Sequence, residues 1–201
     1  MLTFKNYNIA DWFSFYRIAA APVLIVLLIL EMRVAFSWML LLSFSTDAID
    51  GFLARSLKIA SARGSQLDSM GDQITFILGI VGLFVFETEF MRDKLQLLLI
   101  AFIPYFVQML IAFIKYGKTT AFHTYFAKLS AVVQAMFILI ALLLDPVLWL
   151  FYTVLVIGVL ETFEEITLIF MHDRWTEDVK GIYWAWKKKK KERRTKRKTE
   201  I

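Results

Sequence analysis

Long apolar runs separated by short polar segments dominate this chain, and their lengths predict six membrane-spanning helices. A hydrocarbon core about 30 Å thick needs roughly 20 residues of helix. The predicted spans are 11–31, 35–57, 66–88, 95–115, 124–145 and 147–171. Asp145 and Pro146 separate the last two spans, because proline disfavours helical backbone in the residue before it. The pattern therefore predicts an all-α integral membrane bundle.

Composition supports a membrane protein and removes several kinds of chemistry. Apolar and aromatic residues make up 59% of the 201 residues, whereas soluble domains are nearer half apolar. The first apolar run, 12–30, is of full span length and has no small-residue cleavage site, so it is predicted to be a span and not a signal peptide. The absence of cysteine excludes disulfides and thiolate chemistry. Two histidines are too few for a histidine-rich zinc site.

Basic residues set the predicted orientation of these spans. With the N-terminus on the cytosolic side, the cytosolic segments hold nineteen lysines and arginines and the opposite loops hold three. Because lysine and arginine are enriched in cytosolic loops, both termini are predicted to face the cytosol. We therefore expect a protein of the inner, or cytoplasmic, membrane. Its domains would be a catalytic membrane domain, 1–175, and an interfacial segment with a basic tail, 176–201.

The tail 187–198 reads KKKKKERRTKRK and has two interpretations. The favoured one is a solvated block of charge that anchors the topology. The other is attraction to anionic lipid headgroups, worth about 1 kcal/mol per basic residue near the surface. The aromatic stretch 182–186 before it is typical of a membrane interface. Nucleic-acid binding is disfavoured, because the tail follows a membrane domain and has no aromatic residues between its charges.

Four aspartates form the strongest chemical signal. Asp47 and Asp50 share one face at the end of the second predicted span, and Asp68 and Asp72 share one face at the start of the third. Two carboxylates about 4 Å apart repel by roughly 4 kcal/mol at an effective dielectric near 20. Protonation or bound divalent cations would relieve this cost. Oxygen ligands without His or Cys favour Mg²⁺, Mn²⁺ or Ca²⁺, and four carboxylates suit a two-metal site.

Small residues and one arginine accompany these aspartates. Gly51, Ala54 and Gly64 remove side-chain bulk where a phosphate or a base could approach the backbone. Arg55 offers a planar fork that suits a diphosphate. In the third span, Gly79 and Gly82 are predicted to let neighbouring helices approach closely.

The whole segment resembles the CDP-alcohol phosphotransferase family, whose signature reads D-x2-D-G-x2-A-R-x8-G-x3-D-x3-D. The matching positions are Asp47, Asp50, Gly51, Ala54, Arg55, Gly64, Asp68 and Asp72. The six-span plan is also similar to that of the family. Residues 13–23 resemble the first span of phosphatidylglycerophosphate synthases, and 126–134 resemble a region of the glycerophosphate and inositol branches.

This resemblance implies a reaction and a role for each residue. Asp47, Asp50, Asp68 and Asp72 would hold two Mg²⁺ or Mn²⁺ ions, and Asp72 would also be the general base. The residues implied to line the CDP pocket are Asp50, Gly51, Ala54, Arg55, Ser61 and Gly64. The donor would be CDP-diacylglycerol, the leaving group CMP and the assembly a homodimer. The implied acceptor is a small polar alcohol, such as glycerol 3-phosphate, with inositol or inositol phosphate as an alternative.

Cations near the site are candidates for binding a phosphorylated acceptor. Lys115, Lys118 and Lys128 lie on the predicted cytosolic side. For Lys128, acceptor binding and the ordinary positive-inside bias are equally good explanations. For Lys115 and Lys118 the positive-inside bias is favoured.

Glu161, Glu164 and Glu165 lie inside the sixth predicted span, where ionisable residues require an explanation. The favoured explanation is a structural partnership with Arg17 of the first span. A part in acceptor choice and a proton path are the alternatives.

Two other classes of function compete with the enzyme. An ion or proton transporter would place its carboxylates near the bilayer midplane, often within repeated halves, but these aspartates lie near one membrane face and no repeat is visible. A catalytically silent membrane anchor would leave the eight ordered matches to chance.

Overall fold

In the computed structural model, residues 9–57, 62–120, 122–177 and 179–199 are described, with side chains over 15–46, 70–120, 122–177 and 179–191. The described residues form seven α-helices. These are α1 Ile9–Ile29, α2 Arg33–Leu57, α3 Ala62–Phe86, α4 Thr88–Tyr116, α5 Tyr125–Leu143, α6 Leu148–Met171 and α7 Ile182–Thr199. The predicted all-α class is confirmed over this part of the chain.

Each of the six predicted spans coincides with one of the helices α1 to α6. The largest difference is at the start of α4, which begins at Thr88 and not at 95. Its first turns carry Glu89, Arg92, Asp93 and Lys94, which the apolar pattern excluded although charged residues are compatible with helix. The break at Asp145 and Pro146 is confirmed, since α5 ends at Leu143 and α6 begins at Leu148. The helix α7 was not predicted.

Two helices, α4 and α5, are long and apolar enough to cross a membrane. Only 11% of the most apolar part of α4 and 28% of that of α5 are buried within the protein. The core helix of a soluble protein would bury most of such a surface. These two helices therefore have the exposed apolar character of lipid-facing segments. That all six helices cross a membrane, with both termini on the cytosolic side, stays a prediction.

The chain divides into two compact units, the first of which comprises Met1–Arg92 and Ala135–Val147. Here α1 packs against both α2 and α3. Gly82 of α3 lies against the fully buried ring of Phe36 of α2, and an added Cβ atom would come within 2.5 Å of that ring. A Cβ atom at Gly79 would lie 3.0 Å from Ile138. The predicted close approach at these two glycines is confirmed.

Arg33, at the start of α2, ties the end of α5 into the first unit. Its guanidinium donates hydrogen bonds to three carbonyl oxygens at that end, those of Ala141, Leu142 and Leu144, over 2.8–3.0 Å. The last carbonyls of a helix have no partner within the helix, so Arg33 caps α5. Glu87, between α3 and α4, completes the arrangement by forming an ion pair with Arg33.

The second unit comprises Asp93–Gln134 and Leu148–Ile201. Its apolar core joins the ends of several helices. The residues of this core are Ala112, Phe122, Leu168, Ile169, Val179 and Ala185. Lys115 Nζ and the Tyr116 hydroxyl, at the end of α4, both donate to the carbonyl of Ile169 in α6, over 2.8 and 3.0 Å. The end of α4 is therefore fixed to the end of α6, beside α7.

Candidate active site

The signature residues are carried by two helices that pack against each other, α2 and α3. Five of them lie in the second half of α2: Asp47, Asp50, Gly51, Ala54 and Arg55. Gly64, Asp68 and Asp72 lie in the first half of α3. Since the backbone is helical at these positions, the three- and four-residue spacings place each pair of aspartates on one helix face, as predicted.

The chain between the two helices is short. From Leu57, where α2 ends, to Ala62, where α3 begins, there are five peptide links, which span at most about 18 Å when fully extended. Ser61 lies outside the described residues, as do the side chains of Asp47, Asp50, Arg55 and Asp68. The predicted convergence of the four carboxylates and the predicted CDP pocket therefore stay predictions.

Asp72 is the signature aspartate whose side chain the structure describes. Its Oδ1 lies 3.2 Å from Nη1 of Arg17 on α1. The Arg17 side chain is completely buried, whereas that of Asp72 is 44% exposed. The carboxylate is therefore held from the buried side by a guanidinium and remains accessible from the other side, as a group that meets a substrate must be.

Compact polar residues surround this part of α2 and α3. Ser43, Thr46 and Thr75 are all buried. Ser43 donates to the carbonyl of Met39, and Thr46, the residue before Asp47, donates to the carbonyl of Ser43. The hydroxyls of Ser43 and Thr46 thus have partners in the backbone of their own helix, so their burial avoids the cost of an unsatisfied polar group.

The sequence profile of the CDP-alcohol phosphatidyltransferase family matches residues 7–163. The chain belongs to this family. The match covers α2 and α3, with the whole signature, and continues into α6. No curated protein and no solved structure gives a significant match.

Membership of the CDP-alcohol phosphatidyltransferase family makes the chain a transferase of phosphate-containing groups with a CDP-alcohol as donor. Family membership and the apolar helices together indicate a membrane protein. The family generally uses divalent metal ions. Among the described side chains, no group of three or more His, Cys, Asp or Glu residues could hold a metal ion. The side chains of Asp47, Asp50 and Asp68 are not among those described.

The three lysines predicted as acceptor ligands are all exposed, and all belong to the second unit. Lys115 donates to the Ile169 carbonyl, as described above, and Lys118 Nζ lies 3.3 Å from the ring centre of Trp175. Both therefore have contacts within the second unit, and the choice between acceptor binding and positive-inside bias stays a prediction for them. Lys128 lies in the first turn of α5, and its part in acceptor binding stays a prediction.

The glutamates of α6 hydrogen-bond to polar residues on neighbouring segments. Oε2 of Glu165 accepts from Gln108 Nε2 of α4 at 2.6 Å and from the Thr120 hydroxyl at 2.7 Å. Oε2 of Glu164 accepts from the Thr124 hydroxyl at 2.8 Å. These hydrogen bonds give Glu164 and Glu165 structural partners within the second unit.

Their predicted partner was Arg17, but the partner that the structure shows for Arg17 is Asp72. Arg17 is therefore a residue of the candidate site that was not predicted. A signal was present, because a buried arginine in an apolar helix requires a counter-charge. Three glutamates and four aspartates were available to supply it, and the sequence alone does not show that α1 packs on α3.

Proposed function

We propose that the chain transfers a phosphatidyl group from CDP-diacylglycerol to a small polar alcohol and releases CMP. The observation that carries this proposal is the complete signature on α2 and α3 within the family match. The acceptor we favour is a phosphorylated alcohol such as glycerol 3-phosphate. The same chemistry with inositol or inositol phosphate is the second choice.

In this proposal Asp72 is the catalytic base. Its carboxylate takes the proton of the acceptor hydroxyl, and the acceptor oxygen then attacks the phosphorus that carries the diacylglycerol. A new P–O bond forms to the acceptor while the P–O bond to CMP breaks, and CMP departs with the electron pair. A base of this kind must lie within hydrogen-bond reach of its proton, and the accessible side of Asp72 provides a place for the acceptor.

The donor set fits a pair of hard divalent cations, because it consists of four carboxylates without sulfur or imidazole ligands. Asp47, Asp50, Asp68 and Asp72 would hold two Mg²⁺ or Mn²⁺ ions, and such ions would neutralise charge on the pyrophosphate and on the leaving group. The CDP pocket in this proposal is lined by Asp50, Gly51, Ala54, Arg55, Ser61 and Gly64.

Arg17 is a positioning residue in the proposed reaction. Its buried guanidinium fixes the rotamer of Asp72 by charge and by contact at 3.2 Å. A general base that is held in place loses less conformational freedom on reaching the transition state. Arg17 acts through Asp72 and not on the substrate.

The proposed setting is the inner, or cytoplasmic, membrane, with six crossings and the active site facing the cytosol. In this arrangement 1–175 is the catalytic membrane domain and the functional unit is a homodimer. The exposed apolar surfaces of α4 and α5 support membrane insertion. The excess of basic residues in the predicted cytosolic segments supports the orientation.

Release of labelled CMP from CDP-diacylglycerol tests the proposal. The purified chain in lipid nanodiscs is supplied with Mg²⁺ or Mn²⁺ and, in turn, with glycerol 3-phosphate, inositol, inositol phosphate or serine. We expect metal-dependent release with one acceptor and none in chelator. A chain that releases no CMP with any acceptor, as expected of a transporter or an anchor, would refute the proposed function.

The role of Asp72 is tested by Asp72→Asn, with Asp93→Asn on the exposed start of α4 as the matched control. We expect turnover in Asp72→Asn to fall by about 10²- to 10⁴-fold, the usual range for loss of a general base. Binding of CDP-diacylglycerol should persist, and the control should keep wild-type turnover. Normal turnover in Asp72→Asn would exclude Asp72 as the base.

A further inference from the structure

The helix α7 has a docked face that is defined by burial. Gly181, Ala185 and Lys189 follow one another at four-residue spacing, which places them on one side of the helix. Gly181 and Ala185 are buried, and Lys189 donates a hydrogen bond of 3.1 Å to the carbonyl of Met171 at the end of α6. This side of α7 therefore faces the protein.

The outward face of α7 carries aromatic residues followed by lysines. Its residues, all exposed, are Tyr183, Trp184, Trp186, Lys187 and Lys190. Lys190 Nζ lies 4.8 Å from the ring centre of Trp186, one helical turn away, so the ammonium group and the ring belong to one surface.

This face lies at one end of the second unit, where α4 ends, α5 begins and α6 ends. The amide of Tyr125, the first residue of α5, donates to the carbonyl of Lys180, and the rings of Tyr125 and Trp184 lie 5.5 Å apart. Because α4 and α5 have the length and apolar surface of membrane helices, their ends would lie at the membrane interface. The beginning of α7 would therefore lie there too.

Glu164 fixes the start of α7 at this end of the second unit. Its Oε1 accepts from the amide of Ile182 at 3.4 Å, and its Oε2 accepts from the Thr124 hydroxyl. Gly181 makes this approach possible, since its φ of 144° is strained for other residues and a Cβ atom would come within 3.1 Å of Oε1. The direction in which α7 leaves the unit is thus set by packing and hydrogen bonds.

We infer that the outward face of α7 docks on the headgroup layer of an anionic phospholipid bilayer. Tyrosine and tryptophan favour the boundary between headgroups and acyl chains. Lysines near an anionic surface are attracted to lipid phosphates, and their apolar stems lie along the interface. Five further basic residues follow Lys191 in the sequence and extend the same charge. This interaction does not depend on the proposed reaction.

The test measures which lipids surround the full-length protein. The chain is reconstituted in phosphatidylcholine bilayers with spin-labelled phosphatidylglycerol or spin-labelled phosphatidylcholine, and the motionally restricted fraction of each label gives their relative association. We expect the wild type to prefer phosphatidylglycerol and to lose the preference at high salt. In Lys187→Gln/Lys190→Gln the preference should fall at least twofold. At a single lipid site, removal of one charge would weaken the binding of phosphatidylglycerol about fivefold. The expected fall in the preference is smaller because the spin label averages over all lipids around the protein.

A matched variant, Arg92→Gln/Lys94→Gln, removes the same charge from the start of α4 and should retain the preference. Circular dichroism verifies the helix content of both variants. An unchanged preference in the α7 variant, or an equal fall in the control, would overturn the inference. Inorganic phosphate added at the same ionic strength should have no additional effect. A short RNA that abolishes the preference at equal phosphate concentration would assign the face to nucleic acid and would also overturn it.

Discussion

The ion pair between Arg17 and Asp72 can be isolated by a double-mutant cycle of Arg17→Met and Asp72→Asn. At 3.2 Å, two unit charges attract by about 5 kcal/mol at an effective dielectric near 20 and by about 1.3 kcal/mol in bulk water. Arg17 is fully buried and Asp72 is 44% exposed, so the pair lies between these limits. We expect a coupling free energy of about 2–3 kcal/mol.

The two single variants should differ in cost, because the two partners differ in exposure. Asp72→Asn removes the negative charge that lies 3.2 Å from a buried guanidinium and should destabilise the protein by about 3 kcal/mol. Arg17→Met leaves a carboxylate that water can still solvate, and methionine preserves much of the buried volume. We expect this variant to lose about 1–2 kcal/mol of stability, although its turnover should fall because Asp72 is no longer held in place.

The assay is reversible unfolding of the purified protein in mixed micelles, followed by helical circular dichroism during a titration with a denaturing detergent. Chelator is present throughout, because a divalent ion that binds Asp72 would stabilise the folded state by mass action. A control cycle uses Arg92→Met and Asp93→Asn, two exposed neighbours in sequence that do not face each other on a helix. A coupling below about 0.5 kcal/mol for Arg17 and Asp72, no larger than in the control, would refute the reasoning.

Two further predictions concern the packing of the first unit, with the same unfolding assay as the measurement. Gly82→Ala should cost about 1–3 kcal/mol, since its new methyl group meets the buried Phe36 ring. Gly158→Ala, where an added Cβ atom would meet only Gln134 at 3.8 Å, should be neutral or slightly stabilising, and an equal loss in both would contradict the close approach. Arg33→Gln should cost about 2–4 kcal/mol, because it removes the cap of α5 and the partner of a largely buried carboxylate. Arg92→Gln, at an exposed site, should change stability by less than about 0.5 kcal/mol, and a similar small change in Arg33→Gln would show that the cap is not needed.

The sequence was sufficient for the features that depend on local periodicity. The six helices and the break at Pro146 follow from apolar runs, and the two helices of the signature follow from the spacing of its aspartates. The helix α7 was missed because its apolar positions are few and a run of like charge is usually a solvated segment. Ala185 of α7 belongs to a core shared with residues of α4 and α6, and periodicity does not reveal such tertiary contacts.

The partner of Arg17 could not be chosen from the sequence for a related reason. Hydropathy places Arg17 and the carboxylates in helices, but eight acidic residues lie in the second, third and sixth predicted spans. The choice among them depends on which helices pack together, and contact between α1 and α3 brings Asp72 to 3.2 Å from Arg17. The glutamates are then satisfied by hydroxyl and amide groups of their own unit, as at Glu165 with Gln108 and Thr120.

The family match includes some of these contacting residues and ends before others. The match ends at residue 163, so the signature lies within the shared part of the chain, whereas Glu164, Glu165 and α7 lie beyond it. Glu164 and Glu165 nonetheless bond to Thr124 and Thr120, which lie inside the match. Glu164, directly after the match, thus links the amide of Ile182 in α7 to Thr124 of the shared fold. It follows that the lipid preference of α7 can change by substitution of its exposed lysines without altering the residues proposed to carry the chemistry.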